Sequence, residues 1–516
     1  MHFIKKHKDA IYVCILLLII LLGMIFRVIY LEELPNFALI DKGRDAAVAK
    51  HIALGWSELF IIPPANLSLF PNSPLYYWIL SSLFFVLRSY YFINIVWAIL
   101  GTINILLAYR IVSKIYNRLA ALIAAFLVAT SAVHIFYSRE IWQPNILPFF
   151  VLFIFYFNVK YLEQKKIKQI IFSLVTSFTA LLIHNSFIIL LPLFIFYSFY
   201  ILIKTKKNLV VFFIILLLGF YAWMQLVFLQ SKDYSLQVPS KFITSQVTQN
   251  LMPLYILENN LNVIFNELAG ENQNLHLFMF QNVSVYLVII ISLILSIYFS
   301  NNEFHKNIAI FFLLLMSTQI ILSLIGPKKV HPHYFISYYP LLLIFFVSIP
   351  KLLRLKELPS QLIVLLIVCI HSITNIPCIK NVLYVDPLAN GAFVSTIAHI
   401  ISQDAQNHSV SIENIGIYTF DQNEKNVEQF QTASGVSVFY FLEEMHQKKL
   451  IDVVDINTEY YNIIQPSNQK IRYILCYSTY STESECIKPS QDYGENHRLL
   501  KQLPFNEEFL YILAFF

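Results

Sequence analysis

The chain has 516 residues, 57% of them hydrophobic and 16% aromatic, with a mean hydropathy of +0.62. Only 13% are charged, which excludes an ordinary soluble enzyme and points to an integral membrane protein. The net charge of +5 divides unevenly: residues 1–378 carry 27 Lys and Arg against 14 Asp and Glu, and residues 379–516 carry 9 against 17. Neither part has the basic, aromatic-interleaved surface that nucleic-acid binding requires.

The first apolar run, Ile11 to Tyr30, follows Lys5-Lys-His-Lys8. No small-residue cleavage site follows it, so it reads as a retained anchor. Lysines on its N-terminal side place the N-terminus in the cytoplasm and the next loop outside. That loop opens with Leu39-Ile-Asp-Lys-Gly-Arg-Asp45, two carboxylates and two cations within five residues. Helical apolar spacing runs from Asp45 to Leu54, Pro63-Pro64 breaks it, and Pro74 opens another helix where its missing N–H costs nothing.

The apolar stretch Pro74 to Arg88 is short for a roughly 30 Å hydrocarbon core. Read as a juxtamembrane amphipathic helix, it leaves the later runs to alternate cleanly: 92–112, 119–137, 146–162, 169–185, 186–203, 209–229, 283–300, 308–325, 334–350 and 361–378. The basic loops Arg110–Arg118, Lys160–Lys168, Lys204–Lys207 and Lys351–Lys356, with Glu303–Lys306, then fall inside, as the positive-inside rule demands. Read as a span, it would invert that bias. The expectation is a polytopic α-helical protein with eleven spans in the cytoplasmic (inner) membrane. A second long external loop covers 230–282.

Residues 379–516 read as a small extracytoplasmic α/β domain. Asn414 to Phe420 and Ile471 to Tyr477 look like strands and Ser437 to Leu450 like a helix. Five cysteines are too few for a disulfide scaffold. Cys14 and Cys369 sit in apolar runs, while Cys476 and Cys486 could pair only if the tail is outside the cell.

Three external segments collect groups that could do chemistry. Asp41 could act on a proton, its pKa set by burial and by Lys42 and Arg44, although an aspartate before a helix is also an ordinary N-cap. Ser138-Arg-Glu-Ile-Trp-Gln-Pro-Asn145 offers Arg139, Glu140 and Asn145 at the same face, where snorkelling alone would account for the arginine. Gly326-Pro-Lys-Lys-Val-His-Pro-His-Tyr334 offers Lys328, Lys329, His331, His333 and Tyr334, suited either to anionic lipid or to the phosphate of a lipid-linked substrate. His184, beside Asn185, ends another run on that side. Loops from scattered spans can meet only around a shared cavity, which is the physical case for a site.

These motifs, together with Asn72-Ser-Pro-Leu-Tyr-Tyr-Trp78 and His333-Tyr-Phe-Ile-Ser-Tyr-Tyr-Pro-Leu341, resemble the GT-C membrane glycosyltransferases. The likeness is to the bacterial group related to protein O-mannosyltransferases and aminoarabinose (lipid A) transferases, and it spans residues 11 to about 350. It implies a sugar donor on a polyprenyl phosphate and an acceptor that is a glycolipid, polysaccharide or protein. It also implies an acid of the first external loop as base, matched by Asp41, and a phosphate-holding arginine, matched by Arg44. Arg139, Lys328 and Lys329 would share the phosphate; Asp45, Glu140, Asn145, His184, His331, His333 and Tyr334 would contact substrates. Lys42 stands where the family has a second acid, and Asn145 where several relatives have an aspartate. Two carboxylates that could hold a divalent metal are thus missing, and no cofactor is implied. A transporter or flippase for a lipid-linked sugar, and an inactive membrane scaffold, are the rival readings.

Overall fold

The computed structural model describes residues 2–31, 40–56, 73–205, 209–231, 290–325 except 292 and 299, and 337–383 except 338 and 354. It also describes 391–421, 440–446 except 444, 471–478, 497–505 and 508–515. Most of the expected 230–282 loop, the 326–336 turn and Cys486 lie outside these residues.

Fourteen named α-helices are found among the described residues. In chain order they are α1 (His2–Val28), α2 (Ile40–Ala53), α3 (Pro74–Leu87), α4 (Tyr90–Ile115), α5 (Arg118–Thr130), α6 (Ala132–Tyr137) and α7 (Leu147–Gln164). There follow α8 (Ile167–Ile183), α9 (Leu191–Lys204), α10 (Leu209–Ser231), α11 (Glu303–Ile325), α12 (Tyr339–Leu352), α13 (Glu357–Leu383) and α14 (Gly391–Asn407). Three segments, Asp9–Val28, Tyr90–Ile115 and Gln143–Gln164, are long and apolar enough to cross a membrane, with shorter apolar helices around them. This is a helical membrane protein.

Local chemistry sets the helix ends. Ser73 accepts from the Leu75 amide just ahead of Pro74, Asn117 accepts from Ala120 at 2.8 Å, and Ser131 accepts from His134, each satisfying a donor that a helix start leaves orphaned. Arg88 ends α3 in the left-handed region (φ 49°), so only Arg88 and Ser89 separate it from α4. With 14 residues, α3 is about 21 Å long against a hydrocarbon core of roughly 30 Å, a length it shares with α9 and α12. It buries Tyr76, Tyr77, Leu80 and Phe84 and exposes Phe85 and Val86.

Ion pairs join Arg118 to Asp9, Lys114 to Glu163 and Lys204 to Glu303. The first joins the early turns of α1 and α5, the second the ends of α4 and α7, and the third the end of α9 to the start of α11. There His305 Nε2 also lies 3.1 Å from the Ile115 carbonyl at the end of α4, so all lie at one end of the bundle. Those ends belong to the N-terminus and basic loops that the sequence groups on one side. Exposed pairs of this kind contribute little stability, about 0–1 kcal/mol each; their value is topological.

The C-terminal region carries β1 (Ile415–Asp421), β2 (Ile471–Ser478), β3 (His497–Phe505) and β4 (Glu508–Phe515) in the order β1-β2-β4-β3. β1 and β2 are parallel, and β4 runs antiparallel to both its neighbours. α14 buries Val394, Ile397, Ala398, Ile401 and Ala405, a helical stripe that packs with Ile415, Ile417, Tyr473, Ile512 and Ala514 of the sheet. That core is continuous with Ala46–Ala49 of α2, Tyr76 and Tyr77 of α3, and Ile93 and Trp97 of α4. The bundle has a separate core built from α4, α5, α7, α8, α9, α11 and α12. α13 runs through residue 378 to Leu383 rather than ending there. The sequence reading placed the end where polar residues begin, and helical hydrogen bonding continues past that change in composition.

Candidate active site

α2 begins at Ile40, so the Asp41-to-Asp45 cluster forms its first turns. Side chains are described from Asp45 onward; those of Asp41, Lys42 and Arg44 lie outside the described residues, as do Lys328, Lys329, His331, His333 and Tyr334. Asp41 stands one helical turn before Asp45 in α2.

Asp45 is buried and held from two other segments of chain. Tyr77 of α3 donates its hydroxyl to Oδ1 at 2.7 Å, and the Gln143 amide donates to Oδ2 at 3.1 Å. The same Gln143 nitrogen also reaches the Tyr77 oxygen at 3.1 Å, closing a three-membered ring of hydrogen bonds. Gln143 starts a 3₁₀ turn, Gln143–Ile146, whose Pro144 needs no donor there. In that turn Asn145 donates to the Glu140 carbonyl at 3.0 Å, and Asn94 of α4 accepts from the Ile141 amide at 3.1 Å. Asp45 thus meets, through Gln143, the segment that carries Glu140 and Asn145, which the sequence offered as a separate motif.

Polar atoms with no hydrogen-bond partner among the described residues gather on the same elements: Tyr76 Oη, Asn94 Nδ2, Trp97 Nε1 and Asn145 Oδ1 are all buried. Tyr76 and Trp97 meet edge to face with ring centroids 6.4 Å apart. Burial, then the charge of Asp45, raises the Tyr76 pKa well above the usual tyrosine value, so its hydroxyl stays protonated. Orphaned buried groups are costly in a packed interior and concentrate where a site awaits a ligand.

Arg139 and His184 have identifiable structural partners. The Arg139 guanidinium donates to the Ile29 carbonyl at 2.8 Å and the Phe26 carbonyl at 3.5 Å, at the end of α1. Arg27, fully buried, donates to the carbonyls of Gly23, Val128 and Ala129, the last two among the final carbonyls of α5. The two arginines cap helix ends that stop inside the protein, where cations also suit the helix dipole. Close approach makes this possible: a Cβ on Gly101 would lie 2.3 Å from the Ser138 Cβ and 3.0 Å from Arg27 Nε. His184 Nδ1 accepts from the Ser186 amide at 3.2 Å and meets the Ser186 hydroxyl at 2.6 Å, capping the 3₁₀ turn Asn185–Ile189.

The sequence reading did not single out Tyr77, Asn94 or Trp97, although Tyr77 lies in the quoted Asn72–Trp78 motif. It also missed a buried cluster on the far side of α2. Lys50 Nζ lies 3.0 Å and His51 Nε2 2.8 Å from Glu443 Oε2, and Lys50 also donates to the Tyr440 carbonyl at 2.9 Å. Only the basic pair in the last turn of α2 hinted at it.

Residues 71–227 match the family model for dolichyl-phosphate-mannose-protein mannosyltransferases. No curated protein sequence matches the chain. Among solved structures, the chain resembles ArnT from Cupriavidus metallidurans bound to undecaprenyl phosphate, at 10% identity and a TM-score of 0.54, over 98% of each chain. The Archaeoglobus fulgidus oligosaccharyltransferase in complex with Zn and sulfate gives a TM-score of 0.47 at 12% identity, over 89% of this chain and 68% of that one. At such identities the ArnT likeness speaks for the fold, and the lower score carries no weight. The fold is GT-C, and the resemblance to O-mannosyltransferases and aminoarabinose transferases holds.

Proposed function

We propose that this chain, with its GT-C fold, transfers a sugar from a polyprenyl-phosphate donor to an acceptor hydroxyl at the outer face of the cytoplasmic membrane. Eleven spans, a cytoplasmic N-terminus and an extracytoplasmic region 379–516 complete this reading. The observation that carries it is the seating of α2. Its charged first turns are fixed by the buried Asp45–Tyr77–Gln143 ring at the end of the bundle opposite the basic loops.

The reaction is a direct displacement. Asp41 takes the proton from the acceptor hydroxyl as its oxygen attacks the anomeric carbon, and the bond from that carbon to the phosphate oxygen breaks. The leaving group is the lipid phosphate, whose growing charge is met by Arg44 with Lys328 and Lys329, an arginine fork being suited to phosphate. Asp45 accepts a hydrogen bond on each oxygen, and its work is to hold the turn that carries Asp41 and Arg44. Arg139, its guanidinium on the α1 carbonyls, fixes the loop that supplies Gln143, Glu140 and Asn145. The last two, with His331, His333 and Tyr334, are proposed to contact donor or acceptor.

The test is a mass-spectrometric profile of envelope glycolipids, polysaccharide and glycoproteins from cells lacking the chain, complemented with the native form or Asp41→Asn. One sugar mass should vanish, return with the native form and stay absent with the variant. Full rescue by Asp41→Asn would remove Asp41 as the base.

A further inference from the structure

The C-terminal region touches α2 through residues 440–446, a short helical segment between β1 and β2. Glu443 is fully buried there, and one of its oxygens, Oε2, receives both Lys50 and His51. For His51 Nε2 to donate at 2.8 Å, the proton must sit on that nitrogen. Lys50 makes two further contacts with the same segment: its ammonium bonds the Tyr440 carbonyl and lies 3.9 Å from the centre of the Tyr440 ring. Tyr440 in turn packs edge to face on Tyr90, the first residue of α4, at 6.1 Å. At its other end the segment is tied to α14, where His446 Nε2 and the Ser402 hydroxyl are 2.8 Å apart.

We infer that residues 440–446 form a latch, with Glu443 as a positioning residue that seats the charged helix α2 against the C-terminal region. Two independent clamps then fix α2. Asp45 anchors its first half to α3 and the 3₁₀ turn, and Lys50 with His51 anchors its last turn to Glu443. A helix of 14 residues is marginal alone, so such clamps set where its first turn sits. Removing one partner of a buried ion pair leaves an uncompensated charge at a cost of about 3–5 kcal/mol, so loss of Glu443 should be felt by α2. The latch itself stands on geometry; its consequence for catalysis rests on the transferase reading.

The experiment uses the full chain in nanodiscs with two variants, Glu443→Gln and the apolar pair Lys50→Met with Glu443→Leu. Hydrogen–deuterium exchange is followed across α2, α4 and α7, and sugar transfer is measured in parallel. Glu443→Gln should raise exchange in α2 by tenfold or more while α4 and α7 keep native protection, and should lower kcat by a similar factor. The apolar pair, which leaves no lysine charge stranded, should return α2 towards native protection. Unchanged α2 exchange in Glu443→Gln overturns the latch, as does a uniform rise across all three helices, which would mark a general loss of fold. If α2 opens as expected while the native protein transfers no sugar, the latch stands and the transferase reading fails.

Discussion

Two adjacent tyrosines of α3 should respond in opposite ways to the same substitution. Tyr77 gives its hydroxyl to a buried carboxylate at 2.7 Å and receives the Gln143 amide at 3.1 Å. A hydrogen bond to a charged group contributes about 1.5–3 kcal/mol and a neutral one about 1 kcal/mol. Tyr77→Phe should therefore cost about 2–3 kcal/mol, since Gln143 remains as a donor to Asp45. That corresponds to roughly a thirtyfold or larger shift towards the opened state at about 1.4 kcal/mol per tenfold. Tyr76, just as buried, has no hydrogen-bond partner for its hydroxyl among the described residues. Tyr76→Phe removes an unsatisfied group and should be neutral or stabilising by about 1 kcal/mol. Thermal midpoints of detergent-solubilised protein, read by the monodisperse fraction after heating, compare the two directly. Equal midpoints for both variants would refute the hydrogen-bond assignment. A Tyr76→Phe protein that is stable but inactive would show that this hydroxyl awaits a ligand.

Arg139→Gln should lower the thermal midpoint, because it strips donors from the Phe26 and Ile29 carbonyls; an unchanged midpoint with weakened binding of undecaprenyl phosphate would make it a phosphate ligand instead. Gly101→Ala should cost about 1–3 kcal/mol through overpacking against Ser138, and Ser138→Gly should recover part of that loss in the same melt. Stability should also fall at high pH. Burial, then Asp45, raises the Tyr76 pKa, and burial, then Asp404, raises that of Tyr473, so both hold a proton in the folded chain that the unfolded chain has lost. Their contribution is complete below the ordinary tyrosine value of 10.0 and is lost as pH climbs past it. For Tyr76 the slope reaches at most about 1.4 kcal/mol per pH unit, and alkaline melts of Tyr76→Phe should be flatter.

Long apolar runs made the helices legible, because in a membrane protein the period and length of such runs carry most of the signal. The break between α8 and α9 falls at His184–Leu190, close to the expected division at 185/186. Strands β1 and β2 were read to within a residue, bounded as they are by turn formers. β4 was not read. Phe509 to Phe515 is an unbroken apolar run between two neighbours in the sheet, so no alternation marks it as a strand. α14 was not read either, although its stripe from Val394 to Ala405 has helical spacing. The chemistry divides in the same way. Asp45 could be named from its crowded neighbourhood, but its partners are 32 and 98 residues away. Glu443 meets His51 across 392 residues, and nothing local separates it from other acids of an acidic tail. For Arg139 the sequence offered a snorkelling cation or a phosphate ligand; which groups it meets depends on where α1 ends, and that is a property of the fold.

The central claim is that Asp41 turns over a lipid-linked sugar rather than moving it. Membranes carrying the native chain, Asp41→Asn or Arg44→Ala would be charged with radiolabelled polyprenyl-phosphate sugars extracted from cells, and the label leaving the lipid-phosphate fraction counted against donor bound. The native chain should release label into a new acceptor. Asp41→Asn should bind donor and release none, and Arg44→Ala should lose binding. If Asp41→Asn releases label at the native rate, or if the native chain carries donor across the bilayer without consuming it, the account is wrong.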